Sequence, residues 1–76
     1  MPTNSLKAAV ETLLFMHHKP ITLARIKEVV DTEEEKFELE EYRATLQSLT
    51  EDYNDSKHGI ELVEIANGFQ FRTKLD

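Results

Sequence analysis

The sequence predicts an α+β domain, a winged helix-turn-helix with three helices followed by a C-terminal β-hairpin wing. Three segments carry apolar residues at helical spacing. Two later runs, rich in Ile, Val, Leu and Phe, flank the pair Asn67-Gly68. Because Asn and Gly tolerate the left-handed backbone of a tight turn, this pair indicates a hairpin.

The first helix is predicted from about Ser5 to His17. Ser5 is a candidate N-cap. Lys19-Pro20 ends the helix, because proline disfavours helical backbone in the residue before it. Ile21 then supplies the single extended residue that a short first strand needs. The predicted inward stripe of this helix consists of Leu6, Ala9, Val10, Leu13 and Leu14.

The second helix is predicted from Leu23 to about Val30, with Thr22 as its N-cap. Leu23, Ile26 and Val30 should face inward.

The third helix is longer and should end near Tyr53. Its start stays open: Thr32 with Glu35 fits a capping box, but residues 31–36 could equally form an extended turn. Its apolar stripe has alternating three- and four-residue spacing. The stripe consists of Leu39, Tyr42, Leu46, Leu49 and Tyr53.

The register of the hairpin can be argued from packing. A two-residue turn at Asn67-Gly68 would place Glu64 opposite Phe71 on the core face. A three-residue loop over residues 66–68 would instead pair Val63 with Phe71 and make one face wholly apolar. Since a one-residue slip moves every side chain to the other face, we expect the three-residue loop with a glycine bulge.

In that register Ile60 and Leu62 fall on the opposite face, among Gln70, Arg72 and Lys74. We expect them to be either buried under the third helix or part of an interface.

Composition sets the limits of the fold. The chain has 76 residues and no cysteine, so disulfides and thiolate metal sites are unavailable. No apolar run approaches the length of a membrane span, and a signal peptide is not evident. We expect one cytosolic domain over residues 1–76. The chain stops just after a predicted strand, which suggests part of a longer protein.

The charges argue against the usual function of a helix-turn-helix. Residues 33–53 contain eight acidic and two basic side chains, which equals the whole net charge of −6. In DNA-binding members the second helix of the motif lies in the major groove. Each phosphate contact needs a cation. We therefore expect no direct sequence-specific DNA contact through this face.

The sequence shows no motif typical of a catalytic or metal-binding site. His17 and His18 are adjacent, and adjacent helical side chains point about 100° apart, so they chelate one metal poorly. The third histidine, His58, has no evident partner. Phosphate-binding glycine loops and serine nucleophile elbows are missing. We expect no catalytic residue, no metal, no cofactor, no small-molecule ligand and no enzyme activity.

The chain resembles the N-terminal domain of segregation and condensation protein B, a bacterial family. The resemblance covers nearly the whole chain, and the hairpin is its most specific part. Asn67 replaces a common glycine, Phe69 replaces a common tyrosine, and the acidic link over residues 32–36 is longer. The matching positions are Leu13, Leu14, Phe15, Pro20, Leu23, Gly59, Ile60, Leu62, Val63, Gly68, Phe69, Arg72 and Thr73.

The resemblance implies a non-enzymatic, homodimerising subunit found in the cytoplasm at the nucleoid. In the family it joins a kleisin subunit (segregation and condensation protein A) and the SMC ATPase in chromosome condensation and segregation. The family's second winged-helix domain is not present, so the resemblance implies the N-terminal part of a longer two-domain protein. A winged-helix DNA-binding transcriptional regulator is the alternative.

Four residues are candidates for a protein interface. Phe15 lies about 180° from the core stripe of the first helix, and Phe37, if helical, faces away from the third stripe. Large exposed aromatic side chains on a small domain suggest a partner surface. Phe15 could equally pack under the hairpin, and Phe37 could cover the start of the third helix. Ile60 and Leu62 complete the set.

Overall fold

The predicted winged helix-turn-helix is confirmed by a computed structural model, which describes residues 3–55 and 57–74, and side chains from residue 5 onward. Among these residues no helix is sufficiently long and apolar to cross a membrane. The sheet has the strand order β1-β3-β2, and its neighbouring strands are antiparallel. The elements are α1 (Thr3–Phe15), β1 (Ile21–Thr22), α2 (Leu23–Val30), α3 (Leu39–Tyr53), β2 (Ile60–Ile65) and β3 (Gly68–Thr73).

Helix α1 departs from the predicted boundaries at both ends. It already includes Thr3, so Ser5 lies inside the helix and the predicted N-cap is wrong. It ends at Phe15 rather than at His17. The Nδ1 atom of His17 lies 3.0 Å from the Leu13 carbonyl oxygen, a contact that satisfies one of the free carbonyls at the helix end.

The predicted boundaries of α2 are confirmed, and the short first strand forms where it was predicted but includes Thr22 as well as Ile21. Thr22 Oγ1 accepts a hydrogen bond of 3.1 Å from the backbone N–H of Arg25, which is the expected N-cap contact. Ile26 is fully buried, while Leu23 and Val30 pack beside the core.

Helix α3 starts at Leu39, so residues 31–36 form the extended turn and not the first turn of the helix. Thr32 and Glu35 do hydrogen-bond to each other, but within an extended turn. The helix begins after Glu38, whose side chain forms a capping box with Glu41. Phe37 precedes this cap, and its ring meets the Tyr42 ring edge-on at 6.1 Å. That contact is a hydrophobic staple, which fixes the angle at which the chain enters the helix.

Asp31 holds the α2–α3 turn in place. Its Oδ1 accepts hydrogen bonds from the Tyr42 hydroxyl (2.6 Å) and the Phe37 backbone N–H (3.1 Å). Its Oδ2 pairs with Lys27 Nζ at 2.5 Å. Burial acts to raise the pKa of Asp31, but these hydrogen bonds outweigh it and hold the pKa below its ordinary value.

The core lies between the three helices and one face of the sheet. Successive turns of α1 and α3 supply most of it, as the predicted stripes require. Ala9 and Leu39 are exceptions, because both are exposed. The buried apolar side chains are Leu6, Val10, Leu14, Ile21, Ile26, Tyr42, Leu46, Leu49 and Leu62.

The predicted hairpin register is wrong by one residue. Ala66 and Asn67 form a two-residue turn, with φ values of 52° and 69°, and Ile65 pairs with Gly68. Positive φ at both central residues is the geometry of a type I′ turn. Gly68 has a negative φ and begins β3, so it is not the glycine of a bulge.

The shifted register changes which face of β2 is buried. Leu62 pairs with Phe71, and Glu64 pairs with Phe69. Leu62 is therefore a core residue, 3% exposed, and the expectation that it lies among Gln70 and Arg72 is wrong. Glu64 is tolerated on this face because it is exposed near the tip of the hairpin.

The type I′ turn provides a test by substitution. Ala66→Gly is expected to raise the free energy of unfolding by about 0.5–1 kcal/mol, because alanine is strained at positive φ and glycine is not. Urea unfolding followed by circular dichroism measures this change. The matched control Ala44→Gly, on the exposed side of α3, should lower stability by about 1 kcal/mol. A destabilised Ala66→Gly variant would contradict the turn geometry.

Candidate protein-interaction site

Aromatic side chains from three elements meet at one end of the domain. We call Phe15, Tyr53, His58 and Phe71 the aromatic cluster. Phe15 at the end of α1 stacks on Phe71 of β3, with ring centroids 4.7 Å apart. Tyr53 at the end of α3 meets Phe71 at 4.8 Å and His58 at 4.9 Å. Such contacts add stabilisation beyond area burial, so the cluster is a fixed platform.

Contacts between α1 and α3 position Tyr53. Its hydroxyl donates a hydrogen bond to the Glu11 carboxylate. This bond, together with burial, raises the pKa of Tyr53 to about 12, so the phenol stays protonated as a donor at neutral pH. Lys7 joins the same helices, since its Nζ donates to Ser48 Oγ at 2.8 Å and pairs with Asp52 at 2.6 Å.

An open groove of about 250 Å³ lies beside Phe15 and Phe71. Among the residues that the structure describes, none that lines the groove is acidic, although the chain as a whole is acidic. Arg72, the one formally charged residue among the described residues of the lining, is paired with Glu61 at 3.3 Å. The groove thus has an apolar floor and a polar, nearly neutral rim. Its apolar lining is Leu14, Phe15, Ile60 and Phe71, and its polar lining is His17, His18, Gln70, Arg72 and Thr73.

The structure separates the four interface candidates. Phe15 and Ile60 come together in the groove. Phe15 packs against the hairpin, as one of the two alternatives predicted, and is still 52% exposed. Phe37 lies at the start of α3 and is partly buried against the core. Leu62 has almost no accessible surface to offer a partner.

The sequence argument missed Met16, the most exposed large apolar side chain that the structure describes, at 74%. It follows Phe15 directly, beyond the end of α1. The predicted first helix extended to His17 and so contained Met16, but the sequence argument considered only aromatic side chains as exposed residues of the helices and passed over methionine. An exposed Phe-Met pair before a proline-terminated turn is the pattern that could have indicated it.

The acidic charge is distributed differently from the prediction. Residues 33–36 and Glu38 precede α3, so the helix itself carries four acids and one base, a net charge of −3. The predicted negative net charge of this helix is confirmed. It is smaller in magnitude than the −6 counted over residues 33–53. Within residues 3–55 and 57–74, no three His, Asp or Glu side chains form a metal-ligand group.

Comparisons with known proteins agree on one family. Residues 8–76 match the profile of the family described as Segregation and condensation complex subunit ScpB. Segregation and condensation protein B of Geobacillus thermodenitrificans is 39% identical over 71 residues, which cover 92% of this chain and 32% of that protein. The protein of that name from Alkaliphilus metalliredigens is 24% identical over 100% of this chain and 37% of its own length. The chain spans about a third of the length of these relatives.

Solved structures are similar to the whole described fold. A crystal structure of ScpB from Mycobacterium tuberculosis superimposes with a TM-score of 0.81 at 22% identity, covering 97% of this chain and 43% of that one. At that identity the likeness shows the fold alone.

A crystal structure of a dimer of the ScpB N-terminal domain complexed with ScpA peptide has a TM-score of 0.80 at 32% identity. The match covers 93% of this chain and 83% of that one. With the profile match over residues 8–76, these similarities show that the chain belongs to the ScpB family of segregation and condensation complex subunits.

Proposed function

We propose that the chain is a non-enzymatic subunit of an SMC–kleisin condensin-like complex. It acts in chromosome condensation and segregation by forming a homodimer and by binding the kleisin subunit. It works in the cytoplasm, at the nucleoid. The observation that carries this proposal is the similarity to the N-terminal domain that was solved as a dimer with ScpA peptide.

The coverage of the solved structures supports a domain assignment. The chain covers 83% of the N-terminal domain structure but only 43% of the longer ScpB chain from Mycobacterium tuberculosis. It is accordingly proposed to be the N-terminal winged-helix domain of a longer two-domain protein. The kleisin and the SMC ATPase are its proposed partners in that complex.

The surface of the domain supports protein binding over DNA binding. Helix α3, which would enter a major groove, carries net negative charge and would be repelled by phosphates. The groove at the aromatic cluster instead offers aromatic and apolar side chains inside a polar rim, which is the anatomy of a protein interface. The alternative, a winged-helix transcriptional regulator, has no such supporting observation.

Two titrations of the 76-residue protein test the proposal. In isothermal titration calorimetry, a synthetic peptide from the kleisin ScpA is expected to bind saturably. In fluorescence anisotropy at about 20 mM salt, where phosphate contacts are strongest, random-sequence duplex DNA is expected to show no saturable binding. A basic peptide of the same length is the control for non-specific charge attraction. Tight DNA binding without peptide binding would favour the regulator.

A further inference from the structure

We infer that the groove at the aromatic cluster is the surface on which a second copy of this chain docks, with Phe15 and Met16 at the centre of the contact. This inference rests on the proposed function, since it specifies which face forms the homodimer. Three observations carry it.

Two of the five exposed large apolar side chains among the described residues lie next to each other here. Phe15 and Met16 are adjacent in the chain and are 52% and 74% exposed. Ile60 and Phe71 continue the apolar surface into the groove. Aromatic and methionine side chains are enriched at the centres of protein interfaces, where they supply most of the binding energy.

The surface is also held in place before any partner arrives. Phe15 stacks on Phe71, and Phe71 rests against Tyr53, which Glu11 fixes through a hydrogen bond. A fixed aromatic side chain loses little conformational entropy on binding. More of the free energy gained by burying its surface therefore contributes to affinity.

The charge of the groove lining favours a second copy of this chain as the partner that binds there. Each copy carries a net charge of −6, so two copies repel each other wherever their acidic surfaces meet. None of the described residues that line the groove is acidic, and Arg72, which lines it, is already paired with Glu61. A nearly neutral groove offers no attraction to a charged peptide but allows two like-charged chains to approach. A two-fold contact would place the same patch of both copies face to face.

Met16→Glu is the main test, because Met16 is mostly exposed and its replacement should leave the fold intact. Burying a carboxylate in an apolar contact is costly. The variant is therefore expected to weaken self-association by at least about tenfold in sedimentation equilibrium. Phe15→Asp should weaken it as much or more, with folding checked by circular dichroism. Val29→Glu, at a 46% exposed position on α2 outside the groove, is the matched control and should self-associate like the parent.

The salt dependence of self-association provides an independent test. Because the contact is apolar and the copies repel each other, raising salt from about 50 mM to about 500 mM should strengthen the dimer by screening that repulsion. Weakening by salt would indicate ion pairs at the interface and would overturn the inference.

The outcomes distinguish the inference from the proposed function. If the parent chain dimerises and folded Met16→Glu and Phe15→Asp dimerise equally well, the groove is not the contact, while the proposed function stands. A parent chain that stays monomeric up to millimolar concentration overturns the inference and the homodimer together. The ScpA-peptide titration then decides whether kleisin binding survives. Loss of self-association in Val29→Glu alone would place the contact on α2.

Discussion

Gly68→Ala is expected to lower the free energy of unfolding by about 1–3 kcal/mol, the usual effect of forcing extra volume into a packed site. A Cβ atom at Gly68 would lie 2.7 Å from Pro20 Cβ, 3.0 Å from the Pro20 carbonyl carbon and 3.1 Å from the Ile21 backbone nitrogen. Two of these neighbours are backbone atoms of Pro20 and Ile21, where β1 begins, so they cannot rotate away as a side chain could.

The structural change caused by Gly68→Ala should be confined to the region where β1 pairs with β3. Thr22 pairs with Gly68 and Ile21 pairs with Phe69, so moving Pro20 disturbs both pairs. For a domain of this size, 1 kcal/mol corresponds to about 4–8 °C in the melting temperature. Thermal unfolding followed by circular dichroism measures the loss.

Gly59→Ala is the matched control, because a Cβ at Gly59 would meet no atom within 4 Å and its φ is not in the left-handed range. Its melting temperature should match or slightly exceed that of the parent, because alanine reduces the entropy of the unfolded chain. Equal stability of Gly68→Ala and Gly59→Ala would contradict the close approach of β3 to Pro20.

Asp31→Ala is expected to cost about 2–3 kcal/mol of stability, because it removes the acceptor of three donors at once. The Tyr42 side chain is fully buried, so its hydroxyl would be left without a partner and without access to water. Lys27 would also lose its carboxylate. The α2–α3 turn, which enters α3 through Phe37, would lose the hydrogen bond to the Phe37 backbone N–H.

Two variants serve as comparisons for Asp31→Ala. Glu28→Ala removes an acid of the neighbouring helix α2 whose pair with Arg25 is solvent-exposed, and should change stability by less than about 0.5 kcal/mol. Tyr42→Phe should cost about 1 kcal/mol. The double variant should cost less than the sum of Asp31→Ala and Tyr42→Phe, since both remove the same hydrogen bond. Strict additivity would contradict that bond.

The depressed pKa of Asp31 also predicts a pH dependence. A carboxyl whose pKa is lower in the folded chain contributes its full stabilisation above the unfolded pKa of about 3.9 and loses it as pH falls through the folded value. Asp31→Asn cannot ionise, so its stability should fall less steeply than that of the parent from about pH 4 downward. Urea unfolding at several pH values measures both slopes, and parallel slopes would contradict the prediction.

The local signals in the sequence determined the order and kind of every element. Pro20 and the Thr22 cap mark a helix end and a helix start, and both act within a few residues of themselves. Spacing determined which side of α3 is buried, and the acidic sign of that helix follows from composition. The family resemblance could also be recognised from the residues alone, because the hairpin matches it closely.

The register of the hairpin was decided only by the tertiary structure. Asn67-Gly68 is a strong local signal for a two-residue turn, yet the turn forms one residue earlier, at Ala66-Asn67. The physical reason is that Gly68 is the residue that fits against Pro20, and this contact joins distant parts of the chain. Packing Leu62 under the helices then outweighs the strain of a left-handed alanine.

The same distinction applies to the candidate site. Sequence spacing indicated that Phe15 faces away from the core stripe, but its stacking on Phe71 needed β3 to be brought beside the end of α1. For Leu62 the sequence left burial and an interface as alternatives because its face depended on the register, and the structure shows it buried. Met16 was missed although it lay within the predicted first helix, because only aromatic side chains were considered there. Short-range chemistry thus fixes the elements, whereas the surface they present depends on contacts between residues far apart in the chain.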